Sequence, residues 1–310
     1  MKKKKTGIRV SPADRIFDIL NYVFLTLCLL IVAYPLYFIV IASVSDPTAV
    51  YAGKVILWPA RFTLEGYQRI LDYESFFTGY RNTVIYTVVG TAVNVLITIP
   101  GAYALSRKDL VGRNIFMMGV TFTMIFSGGL IPTYLLVISL NLYNTMWALI
   151  LPVAVSAWNL IVARTFFQQT IPDELLEAAT LDGAGNTQFF LRVVLPLSKS
   201  IIAVMVLFYA VNHWNSYFNA LIYLKSAEKY PLQLVLRNIL FENSLGDMVE
   251  DASTLALQQR LGDLIKYGII IASSLPLLIL YPFLQRFFII HFTLIVFPFF
   301  SEKTFPCFLF

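Results

Sequence analysis

Ile171-Pro172-Asp173-Glu174-Leu175-Leu176-Glu177-Ala178-Ala179-Thr180-Leu181-Asp182-Gly183-Ala184, continuing to Phe189-Phe190-Leu191-Arg192-Val193-Val194-Leu195-Pro196-Leu197, is a polar, helix-forming stretch between two long apolar runs. Its grammar is two short helices and a tight turn. Thr170 is a candidate cap for the first helix. Pro172 suits the opening turn, where its missing N–H costs nothing, and Asp173 and Glu174 suit the positive end of the helix dipole. Leu175, Leu176 and Ala179 mark one apolar stripe. Asp182-Gly183 breaks the helix, with glycine supplying the backbone freedom for a sharp reversal. Asn186 or Thr187 can cap a second helix with Phe189, Phe190, Val193 and Val194 on one side, and Leu195-Pro196 ends it. A lipid-bathed chain has little reason to keep such an elbow on one face unless another protein docks there.

The apolar runs place that elbow in a membrane protein. Of 310 residues, 58% are hydrophobic and 13% charged, where a soluble domain carries about one-quarter charged residues. Long stretches hold no charge at all, and about 20 apolar residues span a bilayer core as a helix. Six such spans are expected, near residues 16–44, 82–106, 114–137, 145–163, 200–224 and 267–285. The first shows the energetics. Each Leu, Ile, Val or Phe at mid-helix contributes roughly −0.3 to −0.6 kcal/mol to insertion, whereas each Asp, Lys or Arg costs about +2.5 to +3.5 kcal/mol. Residues 19–44 contain many of the former and none of the latter. A spanning helix satisfies its own backbone in lipid, and the alternating pattern of a membrane barrel is absent. The expected fold is therefore an all-α integral membrane protein with six transmembrane helices and a helix–turn–helix on one surface.

Met1-Lys2-Lys3-Lys4-Lys5 precedes an apolar run too long for a signal peptide, with no small-residue cleavage site. The lysines read as a topology signal holding the N-terminus in the cytoplasm, and six spans return the C-terminus to the same side. Arg107, Lys108 and Arg113 crowd one short turn on that side, while residues 139–144 on the other side carry no Lys or Arg. The elbow is thereby expected on the cytoplasmic face, and the net charge of +5 belongs to topology and not to nucleic acid. Cys28 lies in the first span and Cys307 in the tail, so no disulfide is expected and Cys28 is a packing residue. On the outer side, residues 46–81 and 225–266 are too aromatic for disordered linkers. They form either a cap that receives a partner or short surface helices that tie span ends together.

Missing chemistry narrows the function. The span centres contain no Asp, Glu, Lys or Arg, whereas ion-coupled carriers keep an intramembrane ionisable group or an unwound helix as their coupling site. The polar groups of the fifth span are Asn212, His213, Asn215 and Asn219, and His213 reads as a hydrogen-bonded packing residue. No G-x-x-x-x-G-K-[ST] loop is present, since Gly53-Lys54 lacks the upstream glycine, so ATP is not bound by that route. Two histidines and two cysteines lie scattered, without metal-ligand spacing. No catalytic residue, cofactor or metal is expected in this chain.

The blocks Glu177-Ala178-Ala179, Asp182-Gly183-Ala184 and Leu195-Pro196, at this spacing, strongly resemble the signature loop of binding-protein-dependent ABC importer permeases. His213-Trp214-Asn215-Ser216-Tyr217-Phe218-Asn219-Ala220-Leu221 and Tyr230-Pro231-Leu232-Gln233 resemble the maltose-type carbohydrate permeases, in particular the smaller subunit of pairs importing oligosaccharides. Asn82-Thr83, Pro100-Gly101-Ala102-Tyr103-Ala104 and Tyr281-Pro282-Phe283-Leu284-Gln285 also look familial. The resemblance implies an ABC type I importer permease fold in the bacterial cell membrane. It implies a second, homologous permease subunit, two copies of a cytoplasmic ATPase that holds ATP and Mg, and an extracytoplasmic solute-binding protein. Glu177, Ala178, Ala179, Asp182, Gly183, Ala184, Leu195 and Pro196 would couple to the ATPase, Glu177 pairing with a basic group there. Asn212, Trp214, Asn215, Tyr217 and Asn219 would line the substrate pathway.

The resemblance divides the chain into a basic N-terminus (1–15), a permease domain (16–288) with its coupling loop (164–199), and a tail (289–310). Two departures stand out. Ser200 replaces a usual proline, and the apolar tail, beginning Ile289-Ile290-His291-Phe292, reads as a shifted reading frame or altered end where the family has a short polar segment. The competing readings are a stand-alone secondary transporter or channel for a small polar solute, and a membrane-bound enzyme or scaffold. The elbow separates the first reading from both.

Overall fold

A computed structural model describes residues 11–244, 262 and 265–279. Residues 1–10 of the basic N-terminus, His291, Cys307, the Tyr281–Gln285 motif and the apolar tail lie outside the described residues. Among those described, every named element is helical and the only strand-like pairing is the isolated bridge between Ser45 and Phe62.

The described residues among 1–72 and 242–272 form one compact unit. Its α1 (Pro12–Ser43) is the first expected span, begun one turn early. Ser11 Oγ accepts from Ala13 N, and Asp14 Oδ2 accepts from the Ser11 N–H, both at 3.3 Å, so the two residues cap the helix reciprocally. Its 32 residues exceed the length needed to cross about 30 Å of hydrocarbon, and its apolar side chains are exposed along most of its length. The following segment is folded, with α2 (Pro47–Tyr51) and α3 (Glu65–Asp72). Ile41 of α1 packs with Ala49 and Val55, and Tyr67 donates to Ser43 Oγ at 2.9 Å.

The described residues among 73–241 and 273–310 form the second unit. Its α4 (Glu74–Ser106) begins two turns before the expected start at residue 82. No proline separates Glu74 from Asn82, so the helix runs on beyond the apolar stretch. Gly79, Thr83, Gly90, Thr91, Asn94 and Thr98 of α4 are buried, small and polar residues that let neighbouring helices approach closely.

The third expected span, 114–137, is broken. α5 (Arg113–Ile125) and α6 (Leu130–Ser139) meet at 115°. Gly128-Gly129 sits at the break, Gly129 at φ +85°, a conformation that glycine takes without steric cost. The fourth, 145–163, divides into α7 (Trp147–Ile150) with a 3₁₀ turn (Leu151–Val153) and α8 (Ala157–Thr170), bent by 51° around Pro152 and Ser156. Because α8 runs to Thr170, that residue closes a helix and does not cap the next, and the elbow proper begins at Ile171.

The elbow comprises α9 (Asp173–Leu181), α10 (Asn186–Phe189), a π turn (Phe190–Val194) and α11 (Leu195–Leu197). α12 (Lys199–Trp214) then departs at 78°. The fifth expected span, 200–224, therefore stops at Trp214 and resumes as α13 (Phe218–Tyr223). α14 (Leu232–Ser244) follows, and α15 (Ile265–Ile279) is the described part of the sixth expected span. The core of the second unit is built from α4, α8, α12 and the elbow, with Ile99, Ala102, Phe166, Phe167, Phe189, Val194, Ile201 and Met205 buried together. A second cluster joins Tyr86, Val137, Leu149, Tyr223 and Leu234.

Candidate functional site

The elbow helix α9 starts at Pro172, which occupies the cap position with extended backbone and offers no capping side chain. Asp173 and Glu174 fill the first turn, favourable at the positive helix end. At the other end, Gly183 N–H donates to Thr180 O at 3.0 Å and Ala184 N–H to Ala179 O at 2.9 Å. These two bonds are the Schellman closure, which requires a left-handed residue at Gly183, and Gly183 has φ +79°. Asp182 is the C-cap, Gly185 and not Asn186 or Thr187 precedes α10, and neither of those two residues makes a side-chain cap there.

The two faces of α9 differ. Leu176 and Ala179 pack on the core with Ile171, Phe189 and Val194. Leu175 departs from the expected stripe, being 38% exposed. Glu174, Glu177, Ala178 and Leu181 are all exposed, and their spacing of i, i+3, i+4, i+7 places them on one stripe. Leu181 is 90% exposed; it was missed because a leucine at a helix end reads as core, and only the register of α9 turns it outward. Asp182 and Pro196 are exposed, Ala184 and Leu195 half-buried. Phe189, Phe190, Val193 and Val194 face the core as expected, although the chain carries them there through a π turn.

Beyond the elbow, α12 reaches a cavity of about 740 Å³ lined by Pro152, Val153, Ser156, Trp158, Asn159, Phe208, Tyr209 and Asn212, among others. Among the described residues, no Asp, Glu, Lys or Arg lines it. The wall at residues 151–157 is the break in the fourth span, where helix hydrogen bonding lapses and backbone groups need other partners in lipid. Asn94 supplies two: its Nδ2 donates to Val153 O at 2.7 Å and Ala154 O at 2.8 Å. His213 Nε2 lies 2.7 Å from Asn94 Oδ1. Tyr209 OH shares a hydrogen bond with Thr98 Oγ1 at 2.7 Å and accepts the Ser156 N–H at 3.2 Å. Two residues of α4 and two of α12, each pair one turn apart, thus hold the broken wall. His213 is the packing histidine expected.

Gly90 makes room for that ring, since a Cβ there would lie 2.5 Å from His213 Nε2. Gly90→Ala should destabilise the protein by about 1–3 kcal/mol through overpacking. Gly119→Ala, with nothing within 4 Å of the added carbon, should not. Parallel thermal unfolding of the two variants in detergent reads the difference.

Of the five residues expected along the substrate pathway, only Asn212 lines this cavity. Trp214 is buried, its Nε1 donating to Ser273 O at 2.9 Å and its ring meeting Tyr80 edge to face. Asn215 caps α12 and donates to Val211 O at 2.9 Å. Tyr217 is exposed beside Phe218, and Asn219 is half-buried on α13. None of these three is among the residues that line the cavity.

Broken helices around a hollow that no charged side chain lines among the described residues, with a surface elbow joined to one wall, define a membrane transport subunit. The matches with known proteins identify which kind. Residues 75–246 match the family described as the binding-protein-dependent transport system inner membrane component. The chain is 42% identical over 277 residues to the polygalacturonan/rhamnogalacturonan transport system permease protein YtcP of Bacillus subtilis (strain 168), covering 89% of this chain and 96% of that one. It is 41% identical to protein LplC of the same organism, over 90% and 93% of the two chains. A solved bacterial ABC transporter involved in the import of the acidic polysaccharide alginate superposes with a TM-score of 0.80 at 34% identity, covering 91% of this chain and 100% of that one. The chain belongs to the binding-protein-dependent ABC importer permeases and is a multi-pass membrane protein. Permeases of this family work with a partner permease, an ATPase and a binding protein, and they are transport subunits rather than enzymes.

Proposed function

We propose that this chain forms half of the pore of a carbohydrate importer and is driven through α9 by a separate ATPase. One observation supports this reading above the others. The outward stripe of Glu174, Glu177, Ala178 and Leu181 sits on a helix whose opposite face is packed into the core. The elbow continues through the π turn into α12, which supplies Phe208, Tyr209 and Asn212 to the cavity. A rigid-body push on the stripe thus reaches the cavity wall through packed elements. In this reading Glu177 meets a basic group of the ATPase, Ala178 permits close approach, and Ala179, Asp182, Gly183, Ala184, Leu195 and Pro196 hold the elbow's shape. Two ATPase copies hold ATP and Mg, a second permease completes the pore, and a binding protein delivers substrate on the outer side. The bacterial cell membrane, with both termini in the cytoplasm, suits the distribution of Lys and Arg.

The proposed cargo is an oligosaccharide. Aromatic faces such as Trp158 with the amides and hydroxyls of Asn159, Ser156 and Asn212 suit sugar rings and hydroxyls. The relatives named for polygalacturonan/rhamnogalacturonan and alginate support the class. The test is uptake by the full assembly in proteoliposomes, with ATP enclosed and binding protein outside, offered galacturonate, alginate and neutral oligosaccharides. ATP-dependent, binding-protein-dependent accumulation of at least one is expected. Uptake of a small solute by this chain alone, driven by an ion gradient, would establish the secondary-transporter reading instead.

A further inference from the structure

We propose that Lys108 and Asp173 are a positioning pair that ties the docking helix α9 to the end of α4, so that motion of the elbow enters the permease through α4 as well as through α12. Lys108 Nζ lies 2.8 Å from Asp173 Oδ2, and Arg107 Nη1 lies 3.6 Å from Asp173 Oδ1. Asp173 is the first residue of α9, and Lys108 follows α4 within the turn at 107–112. That turn is itself braced. Arg107 Nε meets Asp109 Oδ1 at 3.1 Å, Arg113 Nη1 donates to Arg107 O at 3.5 Å, and Arg164 of α8 donates from Nε to Leu105 O at 3.0 Å.

The placement matters more than the strength of the bond. Leu176 and Ala179 fasten the middle of α9 to the core, but its first turn borders a polar hollow of about 290 Å³ lined by Tyr103, Ser106, Gln168 and both members of the pair. Apolar packing does not fill that space, so the ion pair stops α9 from pivoting about Leu176. The Lys108 hydrogen bond holds the Asp173 carboxyl below its ordinary range, and the same bond raises the Lys108 ammonium. Arg107 also lowers Asp173, while Glu174 raises and Arg113 lowers Lys108 in smaller measure. The Asp173 contribution is lost only as pH falls through its lowered value, and the Lys108 contribution only as pH rises through its raised one. The pair therefore stays charged from about pH 6 to pH 8, and its own contribution to coupling should be flat across that interval.

This inference rests on α9 being the docking helix. The test uses the complete assembly and reads sugar taken up per ATP hydrolysed, with the amount of bound ATPase measured alongside. Lys108→Glu alone and Asp173→Lys alone should each lower the ratio about fivefold, the scale on which an exposed pair turned repulsive shifts an equilibrium, while bound ATPase stays at the wild-type level. The two reversals together should restore part of the ratio, the remainder being withheld because Arg107 Nη1 and the positive end of α9 both oppose a lysine at 173. Single reversals that leave the ratio unchanged, or a double reversal no better than the singles, would overturn the proposal. A second measurement avoids charge reversal: high salt on the elbow side, which also screens the Glu177 contact in both proteins, should lower the ratio by a larger factor for the wild type than for Lys108→Gln, and an equal fall in both would also overturn it. If the docking reading itself fails, Glu177→Arg retains its ATPase; that outcome is distinct from any of these.

Discussion

Asn94→Leu should abolish assembly of the permease. The side chain is fully buried and holds Val153 O, Ala154 O and the His213 ring. Leucine has similar bulk and would leave all three without that partner. A buried polar group stripped of its partner costs about 1–3 kcal/mol, and lipid offers no water to compensate. The combined loss is about 3 kcal/mol or more, a large fraction of ordinary folding stability. Membrane-fraction yield and size-exclusion profile read the outcome. Thr91→Val is the contrast, one turn away on the same helix. The buried Thr91 hydroxyl finds no partner among the described residues, so its removal should be neutral or stabilising. An Asn94→Leu protein that assembles and transports normally would show that the broken wall needs no such support.

Gly183→Val should leave a folded permease that no longer converts ATP hydrolysis into transport. A Cβ at Gly183 meets nothing within 4 Å, so the cost is conformational, at φ +79°. An L-residue in that region costs about 1–2 kcal/mol, and a β-branched one is a steric outlier there. The strain falls on the two bonds that close α9, from Gly183 to Thr180 and from Ala184 to Ala179, and opening them changes how the exposed stripe is presented. Gly183→Asn, which tolerates the left-handed region, should retain most of the transport. Glu177→Arg attacks the same contact without touching the fold, because Glu177 is exposed. Reversing one member of an interfacial charge pair costs about 2 kcal/mol or more of docking energy, so the ATPase should be lost on co-purification. Retention of the ATPase by Glu177→Arg together with full transport by Gly183→Val would end the docking reading.

The elbow was legible because its signals are local. Proline, two acids, a Gly after Asp and a Leu-Pro each act within a turn of helix, and their order survives in α9 to α11 with shifts of one or two residues at the caps. The spans were legible as apolar mass but not as shape. Residues 114–137 and 145–163 read as continuous helices because hydropathy averages over the residues that break them, and the breaks depend on remote partners. Asn94 satisfies the carbonyls of Val153 and Ala154 from 59 and 60 residues away along the chain; nothing near Pro152 announces that support. The shape of the polar stripe was hidden for the same reason. Asn212, Trp214, Asn215, Tyr217 and Asn219 look like one polar set in a row, but the helix ends between Trp214 and Phe218, and only Asn212 keeps its place on the cavity.

From composition and motif order alone follow the membrane setting, the helical class, the elbow and the permease family, since each depends on free energies summed over residues near in sequence. Where the spans bend, which side chains support the bends, which face of α9 is outward, and that Lys108 meets Asp173, were decided only by packing. Those features arise when groups far apart along the chain satisfy one another's hydrogen bonds and charges in a medium that offers no water to do it.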